Sequence, residues 1–148
     1  MQLIEAGYTL TDERTRMDVD AVCRLLASTY WAAKRSREHV ETSIQHSLCF
    51  SVFHEGAQVG FARVITDQST HAYLCDVVID VAHRGKGVGQ ALVKFILDHP
   101  LLTTCRIDLV TLDATGLYEP FGFGRHPYEC MSRYPSGAPA PKTSSTAS

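Results

Sequence analysis

No apolar run in this chain of 148 residues approaches the ~20 residues that cross a bilayer. The first residues also lack the basic flank and apolar stretch of a secretory leader. The expectation is therefore a cytoplasmic protein with no membrane partner. Charge of one sign is in short supply too: the net charge is −2, so no global basic field argues for nucleic acid. Cysteine is sparse and scattered, with Cys23, Cys49, Cys75, Cys105 and Cys130 far apart and no Cys-x-x-Cys pair. An odd, dispersed set excludes a disulfide framework and indicates no metal site. It reads as reduced thiols used as small core residues. Internal repeats are absent as well. What is present is ordinary for a soluble globular domain, with 45% apolar and 20% charged residues. The length is that of one domain, sufficient for a core without staples.

The unusual stretch is His83-Arg84-Gly85-Lys86-Gly87-Val88-Gly89-Gln90-Ala91-Leu92. An apolar run rich in β-branched residues, 73–81, precedes it and reads as a strand. Behind it, Ala91, Leu92, Phe95 and Ile96 recur at helical spacing. Strand, glycine-rich turn and helix follow one another. A tight turn needs one or two glycines, whereas here Gly85, Gly87 and Gly89 alternate with Arg84, Lys86 and Val88. Such a loop frees several N–H groups at a helix N-terminus, where the macrodipole adds partial positive charge. The combination is an anion cradle, and phosphate is its usual guest. A Walker A loop would need Ser or Thr directly after the lysine, and a dinucleotide fingerprint needs Gly-x-Gly-x-x-Gly. Neither is here.

Along the rest of the chain, Tyr8–Leu10 reads as a first strand. A helix capped by Asp18 or Asp20 carries the stripe Val19, Val22, Cys23, Leu25 and Leu26. Ser36 with His39 opens a second helix through about Ser47. Strands at 48–53 and 58–65 form a meander around a turn at Glu55-Gly56-Ala57, and a turn at 67–70 leads into the 71–81 strand. His99-Pro100 stops the central helix. The strand 106–110 follows a helix and is therefore expected parallel to 71–81. Asp113 is placed to cap a short last helix, weakened by Gly116 and ended by Gly122. Arg125–Tyr134 is expected to form a closing strand or strand pair, with Pro127 at an edge or break. The domain thus runs over 1–134. From Pro135 the composition turns low in complexity, and 135–148 is expected to be a disordered tail.

Two segments carry a family resemblance. Arg84-Gly85-Lys86-Gly87-Val88-Gly89 matches in full the acyl-CoA loop Arg/Gln-x-x-Gly-x-Gly/Ala of the GCN5-related N-acetyltransferases. Leu117-Tyr118-Glu119-Pro120-Phe121-Gly122-Phe123 resembles the late Leu-Tyr-Glu-x-x-Gly-Phe segment of the same family, in the right order along the chain. The resemblance implies an α/β (α+β) fold in a single domain. Its central mixed, mostly antiparallel sheet would have about six to seven strands flanked by about four helices. That sheet would be splayed between its fourth and fifth strands.

The resemblance further implies acetyl-CoA as acyl donor and a primary amine of a small molecule or peptide as acceptor. Val77, Val78 and Ile79 would run beside the pantetheine arm, with the N–H of Val78 or Ile79 polarising the thioester carbonyl. The backbone of Arg84, Gly85, Lys86, Gly87, Val88 and Gly89 would hold the pyrophosphate. Tyr118 matches the general acid that protonates the departing thiolate; the alternative is a buried aromatic with its hydroxyl satisfied locally. Where many members carry a cofactor-contacting Asn, Thr111 stands here, able to replace one hydrogen bond of the amide. His83 packs beside the loop or contacts phosphate, while His71 and His126 form no pattern.

Asp76 admits two readings, a base acting directly or through water, and an ion pair with Arg63 on the adjacent strand. By strand alternation it would share a face with Leu74 and Val78. Tyr73 and Asp80 are weaker candidates. Tyr30 and Trp31 either pack the first helix on the sheet or border the acceptor site, with Arg63 and Tyr73 also near it. Lys34, Arg35 and Arg37 form a solvated face, or meet a negatively charged acceptor or the CoA phosphates. A CoA-binding sensor or interaction module without turnover is the alternative function. An exposed closing strand would allow a homodimer.

Overall fold

In the computed structural model, which describes residues 1–138 and 140–141, six strands form one sheet in the order β1-β2-β3-β4-β5-β6. They are β1 (Gln2–Glu5), β2 (Tyr8–Thr11), β3 (Leu48–His54), β4 (Ala57–Thr66), β5 (His71–Ile79) and β6 (Arg106–Leu109). All neighbours are antiparallel except β5 and β6, which run parallel because a helix connects them. Two hairpins turn on two-residue loops, Ala6-Gly7 and Glu55-Gly56. All four residues have positive φ (49° and 84°, 49° and 83°), the type I′ geometry whose twist matches that of the strands. β1 has no counterpart in the sequence reading. All four of its residues are exposed, so no alternation of apolar and polar residues marks it.

Four helices flank the sheet: α1 (Val19–Ala27), α2 (Arg37–Gln45), α3 (Val88–Leu97) and the short α4 (Thr115–Tyr118). The Asp18 carboxylate accepts the Ala21 N–H and opens α1, while Ser36 Oγ accepts the His39 N–H and opens α2. Two cores result, one on each face of the sheet. Val88, Leu92, Val93, Phe95 and Ile96 of α3 pack on Leu10, Phe50, Val64 and Leu74. Val22, Leu25 and Leu26 of α1 and Val40 and Ile44 of α2 pack on Cys49, Phe61 and Val78. None of the helices among the described residues is long and apolar enough to cross a membrane.

Three expectations are corrected. Residues 125–134 form no strand: Pro127 removes an N–H, and the Tyr128 N–H turns back onto His126 Nδ1 at 3.0 Å. α4 is not capped by Asp113; the Thr111 hydroxyl accepts the Ala114 N–H at 3.0 Å. The strand alternation assumed for Asp76 is broken by a bulge. Phe61 pairs with Val78 and Arg63 with Cys75, so Asp76 and Val77 together oppose Ala62. Leu74 consequently packs on the α3 side and Val78 on the α1–α2 side. Of the expected tail at 135–148, Pro139 and residues 142–148 lie outside the described residues.

Candidate active site

The β5–β6 ladder runs only from His71↔Arg106 to Leu74↔Leu109. Beyond Leu74, β5 continues to Ile79 with no partner on that side, and the sheet opens into a cleft. Its volume is about 590 Å³. Val77, Val78 and Ile79 form one wall, and Ala114 and Leu117 by α4 form part of the other. Ser28–Trp31, from the link between α1 and α2, and the loop residues Arg84, Gly85, Gly87, Val88 and Gly89 complete it. The Asp80 N–H donates to the Val59 carbonyl at 2.8 Å. Alternation along the ladder therefore turns the Val78 amide toward β4 and leaves that of Ile79 on the open edge. The Ile79 carbonyl does face that way, accepting Arg84 Nε at 2.9 Å.

At the far end of this edge sits the glycine-rich loop. Gly85 and Gly87 have φ of 75° and 79°, the left-handed conformation that glycine adopts without a Cβ penalty. A Cβ on Gly89 would make only an ordinary contact with the Leu117 side chain at 3.6 Å, and Gly89 has no positive φ, so neither space nor backbone conformation demands this third glycine. The backbone amides of residues 85–90 find no acceptor within the described residues. They are the orphan donors of the α3 N-terminus and its approach. Lys86 is the exception among the loop residues. It borders a separate small hollow with Glu5, Ala6 and Tyr8. His83 lines the cleft and accepts or donates at Nδ1 to the Tyr8 hydroxyl at 2.8 Å.

Tyr118 is 8% exposed, with its ring edge-on to Phe123 at 5.8 Å. Its hydroxyl makes no hydrogen bond, yet among the described residues no enclosed side-chain polar atom lacks a partner. The hydroxyl must therefore reach solvent-accessible space. Burial first, and the neighbouring Tyr30 second, push the phenol above its ordinary value, so it keeps its proton at neutral pH. Tyr30 and Trp31 do not pack α1 onto the sheet; both are exposed and stand edge to face at 4.9 Å. The Tyr30 hydroxyl accepts the Leu112 N–H at 3.3 Å, strapping the α1–α2 link across the gap beyond β6.

Trp31 carries the second strap. Its Nε1 donates to Asp76 Oδ1 at 3.1 Å, while Asp76 Oδ2 accepts Arg35 Nη1 at 2.7 Å and Arg63 Nε at 2.9 Å. The ion pair with Arg63 is thus present, and Arg35 joins it. Burial favours the neutral acid, but the two arginines outweigh it and hold the carboxyl below the usual range. Three donors thus converge on the two oxygens, and a carboxyl held below its usual range by two cations is a weak base. The three basic residues around the start of α2 part ways. Arg37 pairs with Asp20 and Glu41, Lys34 is exposed, and only Arg35 turns inward. Nothing in the sequence singles Arg35 out. Arg63, Tyr73, Asp76, Thr111 and Tyr118 are not among the cleft-lining residues, and the Thr111 hydroxyl, which accepts the Ala114 N–H, keeps its own proton to donate.

A free strand edge leading to unpaired amides at a helix N-terminus offers donors in the arrangement that an extended, phosphate-ended ligand requires. Comparison with known proteins makes this specific. Residues 19–123 match the acetyltransferase (GNAT) family. A crystal structure of a GNAT-family protein named as an acetyltransferase, from Xanthomonas campestris, is 39% identical, with a TM-score of 0.82 over 88% of this chain and 94% of that one. A protein of Gibberella zeae, likewise named as an acetyltransferase, is 27% identical over 109 residues, or 60% of this chain. The match spans 62% of that relative's length. The ribosomal-protein-S18-alanine N-acetyltransferase of Escherichia coli shares the fold, with a TM-score of 0.67, 23% identity and coverage of 80% of this chain and 79% of its own. The chain belongs to the acetyltransferase (GNAT) family.

Proposed function

We propose that the protein transfers the acetyl group of acetyl-CoA to a primary amine of a small molecule or peptide by direct attack. The observation that carries this is the continuity of the cleft: the open edge of β5 at Val77–Ile79 leads into the free amides of 85–90. The residues present fit the cofactor. Unpaired amides at the α3 N-terminus suit its pyrophosphate, and an unpaired strand edge suits the amides of its pantetheine arm. When bound, acetyl-CoA supplies an acetyl group activated as a thioester. Of the two residues considered for polarising its carbonyl, the ladder favours Ile79, because the Val78 amide belongs to β4.

With acetyl-CoA bound, an amine that has lost one ammonium proton to water at the mouth would take the acetyl carbon from sulfur. Tyr118 would protonate the departing sulfur and regain its proton from the acetylated nitrogen. Asp76 serves as a positioning residue, fixing the link that carries Tyr30 and Trp31, rather than as the base. Cysteines held as free thiols suit a cytoplasmic location.

Calorimetry with acetyl-CoA, followed by an amine panel monitored for free thiol, tests this reading. Tyr118→Phe is expected to lower kcat ~10²–10⁴-fold with the affinity for acetyl-CoA nearly unchanged. Wild-type turnover in that variant removes Tyr118 from the mechanism. Tight binding with no thiol release from any amine points instead to a CoA-binding module without turnover.

A further inference from the structure

We infer that the acceptor amine also carries an oxyanion, a carboxylate or a phosphate, which Arg35 binds at the thioester end of the cleft. This rests on the acetyltransferase reading above and names the class of its acceptor. The starting point is a charge imbalance. Arg35 and Arg63 converge on one oxygen of Asp76, at 2.7 and 2.9 Å. Neither arginine has another ion-pair partner among the described residues. Two cations on one carboxylate leave an excess positive charge. It lies where Arg63 is 9% exposed and solvent screens poorly.

The two arginines are not equally engaged. Arg63 also donates Nη1 to Ser47 Oγ at 3.1 Å and is closed off from solvent. Arg35 uses Nη1 alone, and its side chain is 31% exposed. A guanidinium has five N–H donors in a planar fork that fits a carboxylate or phosphate. Arg35 therefore keeps most of its donors for a ligand; it is not itself a cleft-lining residue, but it is oriented by Asp76, whose other oxygen accepts Nε1 of the lining residue Trp31.

Position excludes the cofactor's own phosphates as the target. Asp76 immediately precedes the cleft-wall residues, and three residues of strand, about 10 Å, separate it from Ile79, ahead of the loop. The excess charge thus lies at the end opposite the phosphate cradle, where Trp31 both lines the cleft and bonds Asp76. Charge also selects the acceptor. A simple ammonium is repelled here, whereas an amine tethered to an oxyanion brings its own counter-charge.

The test uses matched amines differing in one group: an amino acid against its amide, and ethanolamine phosphate against ethanolamine. The oxyanion-bearing member of at least one pair is expected to show kcat/KM about tenfold to a hundredfold higher, and the pair that does so separates carboxylate from phosphate. Arg35→Gln should erase the preference while the affinity for acetyl-CoA stays unchanged. Arg35→Lys should restore part of it, and Lys34→Gln should leave it intact. Trp31 is the chain's only tryptophan, so its emission gives a readout without turnover. Titration with the amino acid or the ethanolamine phosphate should give a saturable change that Arg35→Gln loses. Equal rates within both pairs, a preference that survives Arg35→Gln, or no Trp31 response to either probe overturns the inference. Failure of acetyl-CoA to bind in calorimetry counts against the underlying activity instead, and the Trp31 titration still decides the anion site.

Discussion

Asp76 occupies a left-handed conformation, φ 55°, which costs most L-residues ~1–2 kcal/mol but which aspartate tolerates better than most. That backbone state produces the bulge, and the bulge turns the carboxylate toward Arg35, Arg63 and Trp31. A single residue thus sets both the strand's shape and the anchorage of the cleft's cover. Gly87 makes the complementary case. Its φ is 79°, and a Cβ there would find no atom within 4 Å, so the demand is conformational and not steric. Gly87→Ala is expected to lower stability by ~1 kcal/mol and to weaken acetyl-CoA binding several-fold. Denaturant unfolding and calorimetry on the same preparation read the two effects separately.

Strand β5 is the element on which the cleft depends. Its first half is paired on both sides, and its second half is paired only with β4, so one strand is both core and binding edge. Gly60 on β4 sets how closely that edge sits. A Cβ there would come within 2.8 Å of Ile79 Cδ1 and 2.9 Å of Val52 Cβ, contacts that force the neighbours to move. Gly60→Ala is expected to cost ~1–3 kcal/mol and, because the displaced partner is Ile79, to reduce acetyl-CoA affinity as well. A loss of stability with unchanged affinity would show that the edge is less tightly coupled to β4 than the contacts imply. α3 contributes in the same double way, burying Leu92, Val93 and Ile96 in the core while offering unpaired amides at its first turn.

Across the whole molecule, the buried charge centre ties together the α1–α2 link, β4 and β5, and its contribution depends on pH. The folded-state pKa of Asp76 lies below the ordinary aspartate value, so the unfolded chain takes up a proton first as pH falls. The stabilisation is therefore complete above about pH 5 and declines as pH drops through about 4 toward the folded-state value. Asp76→Asn keeps the shape and the tolerance for positive φ but leaves two arginines without a counter-charge. It should lose on the order of 3 kcal/mol at neutral pH and show a flatter acid limb than the parent. Urea midpoints between pH 3 and 7 check both, and parallel acid limbs would remove Asp76 from the pH dependence.

How much of this was legible in the chain follows from the range of the interactions. Ser36 as a cap, an aspartate cap on α1 at Asp18 or Asp20, the Glu55-Gly56 turn, the stop at His99-Pro100 and the loop from Arg84 to Gly89 were readable, because each is decided by neighbours a few residues away. The β3–β4–β5 meander and the parallel β5–β6 pair followed from connection lengths. Tertiary structure alone decided the rest. β1 is held by its hairpin without a buried face to mark it, and 125–134 fails to pair despite strand-like composition. Arg35 and Arg63 reach Asp76 across 41 and 13 positions of sequence, once a bulge has turned the carboxylate toward them. The sequence by itself determined where a phosphate could be cradled, since that is local backbone chemistry. Which charges face the other end of the cleft was settled only by packing, because a buried carboxylate takes the partners that the fold brings within reach.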